Sequence, residues 1–390
     1  MSSARDVLYL GETNGRPPCR RFGVYVADRL YHLYVIGRTG TGKSTLLESL
    51  AAQDLYAGRG FALIDPHGDL VERIAFLAER SGRTDVVYLN VPDPSQPYGY
   101  NPLRRVSPEK IPLAASGLIE AMKKLWKDEW GVRMEHILRN ALYALLEYGE
   151  ANLSDVLRVL SDRDYRGDVL RHIKNEQVRA FWTEEFPHYN PRYRQEAIAP
   201  IQNKIGAFLA DPRLYRLLNT PESDIHVRRL MDDGGVLLVN LSKGKLGSDS
   251  SGLLGALLVS TIALAAYSRA DVHPDARRPF HLYADEFQTF TTTSFASMVS
   301  ELRKFGLGLT LANQHLGQLS ADVRQAILGN VGTVIAFRLG PEDALPISRE
   351  FGHVFSPEDL VELPNHNICL RLMIDGAPSR PFSARTLPPG

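Results

Sequence analysis

Gly37-Arg38-Thr39-Gly40-Thr41-Gly42-Lys43-Ser44, followed by Thr45, places two glycines, a lysine and a hydroxyl in the order G-x-x-x-x-G-K-S. Glycines at these points let successive backbone N–H groups turn inward on an anion, and a helix beginning at the lysine adds its partial positive charge behind them. The octet therefore reads as a phosphate cradle lined by Gly37, Thr39, Gly40, Thr41, Gly42, Lys43, Ser44 and Thr45. Lys43 is placed to reach β- and γ-phosphates, and the Ser44 hydroxyl to ligand Mg²⁺. An ordinary glycine-rich turn has no need of Lys-Ser after its second glycine.

A second group complements the first. The run Phe280-His281-Leu282-Tyr283-Ala284 ends in Asp285-Glu286, paired acids at the tip of an apolar strand. In a chain with a phosphate loop, Asp285 is expected to hold the metal through water and Glu286 to act as the base on an attacking water. Lys43 and Glu286 together point to hydrolysis rather than nucleotide storage. Gln314 ends the next apolar run, Leu307 to Ala312. There its amide is expected to bond the γ-phosphate or the attacking water, the alternative being a helix-capping polar residue. Lys243 and Lys245, in Ser242-Lys243-Gly244-Lys245-Leu246-Gly247, read either as phosphate contacts to DNA on a flexible loop or as a solvated turn.

These groups need a scaffold that brings strand tips together. Tyr31 to Ile36 reads as a buried strand and Leu46 to Ala57 as the helix after the cradle. Phe22 to Ala27 is an earlier strand, joined by a polar turn at Asp28-Arg29. Phe61 to Asp65, the helix Leu70 to Ser81 and Asp85 to Asn90 continue the alternation, and Gly235 to Leu241 resumes it. That alternation is the pattern of an α/β fold with a doubly wound, mostly parallel sheet, which binds ligands at the carboxyl ends of its strands. Ser294 to Lys304 and Pro341 to Phe351 read as helices, and Val331 to Phe337 and Asn367 to Met373 as closing strands.

From Ser107 to about Met231 helical periods replace strand signals. The clearest cover Ile111 to Trp126, Arg133 to Tyr148, Leu153 to Leu160, Glu176 to Phe186 and Arg192 to Leu209. An inserted all-α domain is expected over 105–231, between motor-domain segments 1–104 and 232–390. The joint Trp126-Lys127-Asp128-Glu129-Trp130-Gly131 is either an aromatic platform for a base or helix packing.

Composition narrows the partners. The 390 residues carry 45 Lys plus Arg against 45 Asp plus Glu, so no global basic field attracts nucleic acid and any DNA contact must be local. Two cysteines, Cys19 and Cys369, form no C-x-x-C motif and suit a reducing cytoplasm. The N-terminal stretch lacks the apolar core of a signal peptide. The longest apolar run, Leu253 to Tyr267, falls short of a ~20-residue membrane span and reads as a buried helix.

Taken together, the cradle, Ile64-Asp65-Pro66-His67-Gly68-Asp69-Leu70, Ala284-Asp285-Glu286-Phe287, Arg303-Lys304-Phe305-Gly306, Leu311-Ala312-Asn313-Gln314 and Val331 to Arg338 resemble the HerA/FtsK superfamily. Within it the chain is most similar to the type IV secretion coupling ATPases of the TraD/TraG class, over nearly its whole length. The resemblance implies a RecA-like motor using ATP and Mg²⁺, a hexameric homo-oligomer moving single- or double-stranded DNA through a central channel, and relaxase or secretion partners. It also implies an arginine finger at Arg303, whose plainer reading is a solvated cation at a helix end.

The family's membrane-bound members carry N-terminal transmembrane helices, whereas this chain starts almost directly at the motor domain. A cytoplasmic location, at most peripheral to the inner membrane through partners, is the expectation. Two other readings stay open: a VirB-type motor for protein secretion or assembly, and a nucleotide-gated scaffold. There is no Leu-Ser-Gly-Gly-Gln signature, and Asn203-Lys204-Ile205-Gly206 lacks the acid of a guanine-binding motif, so adenine is the expected base.

The two charged groups should separate in kinetics. Lys43→Ala is expected to abolish tight nucleotide binding, and Glu286→Gln to retain binding while losing hydrolysis, because only the first removes ground-state phosphate contacts. Equilibrium nucleotide titration beside turnover checks this, and near-normal turnover in Glu286→Gln would remove the base from Glu286.

Overall fold

The computed structural model describes residues 6–14, 18–126, 130–219, 225–292 and 295–388. In chain order its strands are β1 (Val7–Thr13), β2 (Arg21–Tyr25), β3 (Leu33–Ile36), β4 (Gly60–Asp65), β5 (Val86–Asn90), β6 (Val236–Asn240) and β7 (Phe280–Ala284). They continue with β8 (Leu307–Asn313), β9 (Thr333–Ala336), β10 (Asn367–Arg371), β11 (Met373–Ile374), β12 (Ala377–Pro378) and β13 (Phe382–Thr386). All but β11 and β12 join one 11-stranded sheet in the order β2-β1-β13-β10-β9-β3-β8-β7-β4-β6-β5.

From β9 to β5 every pairing is parallel. Strands β3, β4, β6, β7, β8 and β9 are buried along their whole length. That explains their continuous apolar runs, since a parallel sheet covered on both faces has no solvent side to alternate toward. Registers level the tips. Ile36 lies opposite Asn313 and Ala336, Ala284 opposite Ile64, and Asp65 opposite Asn240, so the residues that follow β3, β4, β6, β7 and β8 emerge along one carboxyl edge.

The structure also corrects several local expectations. Strands β1 and β13, at opposite ends of the chain, add to the expected set, although Val7-Leu8-Tyr9-Leu10 in β1 is a short apolar run of the kind that forms strands. They extend the sheet with antiparallel pairings through β10. The polar turn at Asp28-Arg29 is a buried 3₁₀ turn, Asp28–Tyr31. Lys243 and Lys245 lie on a four-residue helix, Lys243–Leu246, rather than a flexible loop. The apolar run 253–267 extends into a helix, Ser248–Ser268. That helix, with the turn to Asp271, is long and apolar enough to cross a membrane by length and composition. Its most apolar window is nevertheless 72% buried inside the protein, as suits a core helix.

The chain forms two compact units, one of residues 1–90, 227–245 and 265–390, the other of residues 91–226 and 246–264. The second is helical, with long helices Ile111–Leu125, Val132–Tyr148 and Pro191–Leu209. The stretch expected as one helix over 176–186 is helical throughout, with a π-helical turn, Phe181–Glu185, between Glu176–Ala180 and Phe186–His188. At the tryptophan joint, Trp126 is buried and its ring stacks on Trp130, whose indole N–H donates to Glu135 at 2.6 Å. Lys127, Asp128 and Glu129 lie outside the described residues, as do Thr293 and Ser294 before the helix Phe295–Glu301.

In the sheet unit, the helix after β3, α1 (Lys43–Tyr56), is fixed by a buried ion pair. Arg29 donates to both Asp54 oxygens, at 2.8 and 2.7 Å, and to the Tyr283 hydroxyl at 2.7 Å, while that hydroxyl donates to Asp54 at 2.6 Å. Burial alone would push the Asp54 carboxyl up, yet Arg29, with His281 and Tyr283, holds it at about 2. The folded value is depressed below 3.8, so this contribution is present at neutral pH and is lost as pH falls through the interval from 3.8 to 2. Asp54→Ala would leave Arg29 buried and unbalanced, and is expected to lose roughly 3–5 kcal/mol in denaturant unfolding at pH 7. A loss under about 1 kcal/mol would mean the pair is solvated.

Candidate active site

The cradle follows from β3 feeding α1 through a loop that only glycine can shape. Gly42, the residue before α1, has φ 118°. A Cβ there would lie 2.8 Å from His366 Nδ1, and one at Gly37 would lie 2.5 Å from the Phe337 Cβ. Thr41 closes the turn by donating its hydroxyl to the Arg38 carbonyl at 2.7 Å. No acid sits in the first turn of α1, so its N-terminal N–H groups face the loop without a competing carboxylate. Lys43 is buried, and its ammonium donates to the Gly37 and Arg38 carbonyls at 2.5 and 3.1 Å. Burial draws that ammonium below its ordinary value, and Asp285 and Glu286 oppose the shift.

The acids arrive from β7. The Ser44 hydroxyl donates to an Asp285 oxygen at 3.1 Å, joining the start of α1 to the tip of β7. Burial, reinforced by Glu286 and Asp65, pushes the Asp285 carboxyl up to about 6, against the Ser44 hydrogen bond and Lys43. Glu286 is buried with φ 46°, a left-handed conformation that strains a non-glycine residue. Its two oxygens accept from the side-chain amides of Gln314, at 2.9 Å, and Gln288. Gln314 reaches it because β8 lies between β3 and β7.

One cavity of about 390 Å³ is lined by Thr39, Gly40, Gly42, Lys43, Ser44, Thr45, Asp285, Glu286 and Gln314, together with His67 and His366. The structure thus gathers the cradle, the acids and Gln314. It does not gather Arg303, Lys243 or Lys245. Arg303 precedes β8 while Gln314 follows it, so the two lie at opposite ends of a strand roughly 20 Å long. The Arg303 guanidinium is exposed and sits over the Tyr31 ring, 3.4 Å from its centroid. Lys243 donates to the Thr289 hydroxyl at 3.0 Å, and Lys245 lies 3.8 Å from Glu72.

Sequence reasoning passed over Gln288, His67 and His366. Gln288 sits two positions beyond Glu286, and His67 inside the Asp65-Pro66-His67-Gly68 turn, so adjacency to a motif could have marked both. His366 has no motif around it. Asp65, already seen as an acid ending a strand, turns out to cap the next helix, α2 (Asp69–Ser81). It accepts the N–H groups of His67, Leu70 and Val71 at 2.8, 2.9 and 3.1 Å.

The donor set fits a divalent cation bound jointly with phosphate. Ser44 and Asp285 form one hydroxyl–carboxylate pair beside two further acids and one lysine. Among the described residues no group of three or more His, Cys, Asp or Glu could hold a metal by itself. Mg²⁺ suits such a site, since it binds through one or two protein groups plus phosphate oxygens.

Comparison with known proteins places this arrangement. The family profile of the type IV secretion-system coupling protein DNA-binding domain matches residues 25–355. No curated protein sequence gives a significant match. The structure of plasmid coupling protein TrwB with the non-hydrolysable GTP analogue GDPNP aligns with TM-score 0.67 at 17% identity, over 99% of this chain and 90% of that one. TrwB with ADP and Mg²⁺ gives 0.66 at 18%, over 93% and 86%. VirB4 of Thermoanaerobacter pseudethanolicus gives 0.64 at 17%, over 98% and 96%. At these identities the likeness is one of fold: a RecA-like ATPase fold with an all-α domain.

The raised Asp285 value carries a testable sign. The carboxyl titrates at about 6 in the fold against an ordinary 3.8, so the folded state holds its proton more tightly. Burying the carboxylate therefore begins to destabilise as pH rises past 3.8, and the effect is complete above 6. Without divalent cations, Asp285→Asn is expected to stabilise the protein by roughly 3 kcal/mol at pH 8 and about half that at pH 5. Denaturant midpoints in EDTA measure it. A gain that does not shrink on acidification would show that the charge at Asp285 is not what is being relieved.

Proposed function

This chain belongs to the type IV secretion-system coupling protein DNA-binding domain family, and from that premise we propose that it is an ATPase that drives DNA through a hexameric ring during conjugative transfer. The observation that carries the ATPase reading is the Glu286 carboxylate held by Gln314 and Gln288 in the same cavity as Lys43 and the Ser44–Asp285 pair. A carboxylate fixed by amide donors, beside a lysine and a metal-binding hydroxyl, is what hydrolysis of a phosphoanhydride needs.

In this reading Gly37 and Thr39 to Thr45 cradle the phosphates, and Lys43 exchanges its loop carbonyls for β- and γ-phosphate oxygens. Ser44 and Asp285 would hold Mg²⁺, directly and through water. The cation, when bound, supplies positive charge against the phosphate oxygens. Glu286 polarises the attacking water and takes its proton. Gln314 keeps that carboxylate aimed and, by exchanging its hydrogen bond, senses the γ-phosphate. TrwB, similar in fold, is described with ADP and Mg²⁺ and with the ATP analogue ADPNP, which supports the same ligands here.

Arg303 belongs to the oligomeric part of the proposal. Within its own subunit it lies a strand's length from Gln314, so any action on a γ-phosphate has to be on a neighbour's. Lys243 and Lys245 are the proposed DNA contacts, and a relaxase or secretion component the proposed protein partner, with the motor on the cytoplasmic side. The VirB4 likeness favours one second reading, a motor that acts on protein.

Turnover measured with and without single- and double-stranded DNA separates the two. DNA is expected to raise ATP turnover, and indifference to both forms would favour the protein motor. In the same assay Arg303→Ala is expected to bind ATP, hydrolyse it poorly, and regain activity when mixed with Glu286→Gln, since a mixed interface can unite an intact Glu286 with a neighbour's Arg303. An arginine finger is worth ~10³-fold or more in the best-studied cases. No recovery in rings shown to have exchanged subunits would remove the trans role.

A further inference from the structure

His366 is a cavity-lining residue that the chemistry above does not use. It sits immediately before β10, and its backbone N–H donates to the Thr41 carbonyl at 2.9 Å, tying it to the cradle. Its own carbonyl accepts from the Thr386 N–H at 2.9 Å and from the Thr386 hydroxyl at 3.3 Å, so the peptide is held from both sides. The residue has φ 64°, a left-handed conformation that glycine adopts freely and histidine does not. Its Nδ1 lies 2.8 Å from where a Gly42 Cβ would stand, so the ring lies against the backbone just before Lys43. Among the described residues the ring has no hydrogen-bond or ion-pair partner, yet it lines the cavity with Thr39, Gly40, Lys43 and Thr45.

The sheet order says which part of a nucleotide meets it. β10 is separated from β3 by β9 on one side, whereas β8 and β7, which carry Gln314 and Glu286, lie on the other. The γ-phosphate has to face Glu286 and Gln314 to be attacked. The remainder of the nucleotide is left for the His366 side.

Resting on the nucleotide-hydrolysis reading, we propose that His366 binds the nucleoside-diphosphate part common to ATP and ADP, as the second wall of the cradle. An imidazole can give a ring N–H to a phosphate or ribose oxygen or its face to the base. Because the contact is shared by substrate and product, it is uniform binding: its loss falls on KM and on both affinities alike, rather than on the chemical step.

His366→Gly tests this without disturbing the fold, since glycine suits the left-handed backbone and keeps the N–H bond to Thr41. Affinities for fluorescent ADP and for a non-hydrolysable ATP analogue are measured in the wild type, Lys43→Ala and His366→Gly, beside melting temperatures. The expected result is about a tenfold loss for both nucleotides, the size of one hydrogen bond to a charged group, with melting at or above the wild-type temperature. Wild-type affinity for both nucleotides in His366→Gly would overturn the proposal, as would loss confined to the ATP analogue, which would put the ring at the γ-phosphate. Failure of the wild-type protein to bind either nucleotide would overturn the underlying reading itself. His366→Asn, which also tolerates positive φ, is expected to restore part of the affinity through its amide N–H.

Discussion

The site depends on one electrostatic constraint: carboxylates from neighbouring strand tips crowd a dry edge that holds a single buried ammonium. Level registers in a parallel sheet put Asp65 and Asp285 at adjacent tips, and Glu286 follows directly. Three acids so placed would repel one another in a dry edge. The fold gives each a different set of donors: backbone N–H groups at the start of α2 for Asp65, the Ser44 hydroxyl for Asp285, and two side-chain amides for Glu286. Lys43 is shared between Asp285 and Glu286. The imbalance that remains appears as the raised Asp285 carboxyl. A site built this way is poised for added positive charge and phosphate together, which is why the ion and the triphosphate belong in one proposal.

That constraint holds only if α1 is rigid against the sheet, because Lys43 and Ser44 are its first residues. The Arg29–Asp54–Tyr283 network supplies the rigidity from the other end of the helix. It joins the turn before β3, the last turn of α1 and strand β7, and so ties α1 to two of the segments that lead to the site. A buried ion pair is not by itself a large gain over apolar packing. Its value here is positional: a bidentate guanidinium tolerates little sliding of α1 along the sheet.

The cradle, its flanking strand and helix, and the acid tip of β7 were legible because each is a local pattern with a physical cause, glycine where φ must be positive and apolar runs where both faces are covered. Gln314 was legible one step further on, from strand alternation. What escaped was set by pairing over long sequence distances. β1 joins β13 from the opposite end of the chain; Phe382–Thr386 is too mixed to announce a strand, whereas the run Val7-Leu8-Tyr9-Leu10 in β1 is a legible strand signal that sequence reasoning passed over. Asp28-Arg29 looked like a solvent-facing turn because its partners, Asp54 and Tyr283, are distant in sequence. Gly244 makes Lys243 and Lys245 read as loop residues, yet the chain there winds into a short helix. His366 became visible only when β10 brought it to the cradle.

β8 gives the two ends of the proposed cycle a common part. It runs from the turn carrying Arg303 to Gln314, buried along its length and bonded to β3 on one side and β7 on the other. A strand fixed on both sides moves with its sheet rather than alone. On the proposed reading Gln314 would therefore not follow a change at the γ-phosphate by shifting its backbone, and its response would be a side-chain exchange, from the Glu286 oxygen to a phosphate oxygen. Glu286 would then be released from one of its amides at the moment it is needed as a base, while Gln288 retains the other oxygen. On the proposed reading, sensing and catalysis are in this way the same rearrangement of one hydrogen bond. On the same reading Arg303, held over Tyr31 at the far end, would act on a neighbouring subunit only through rigid motion of the whole sheet.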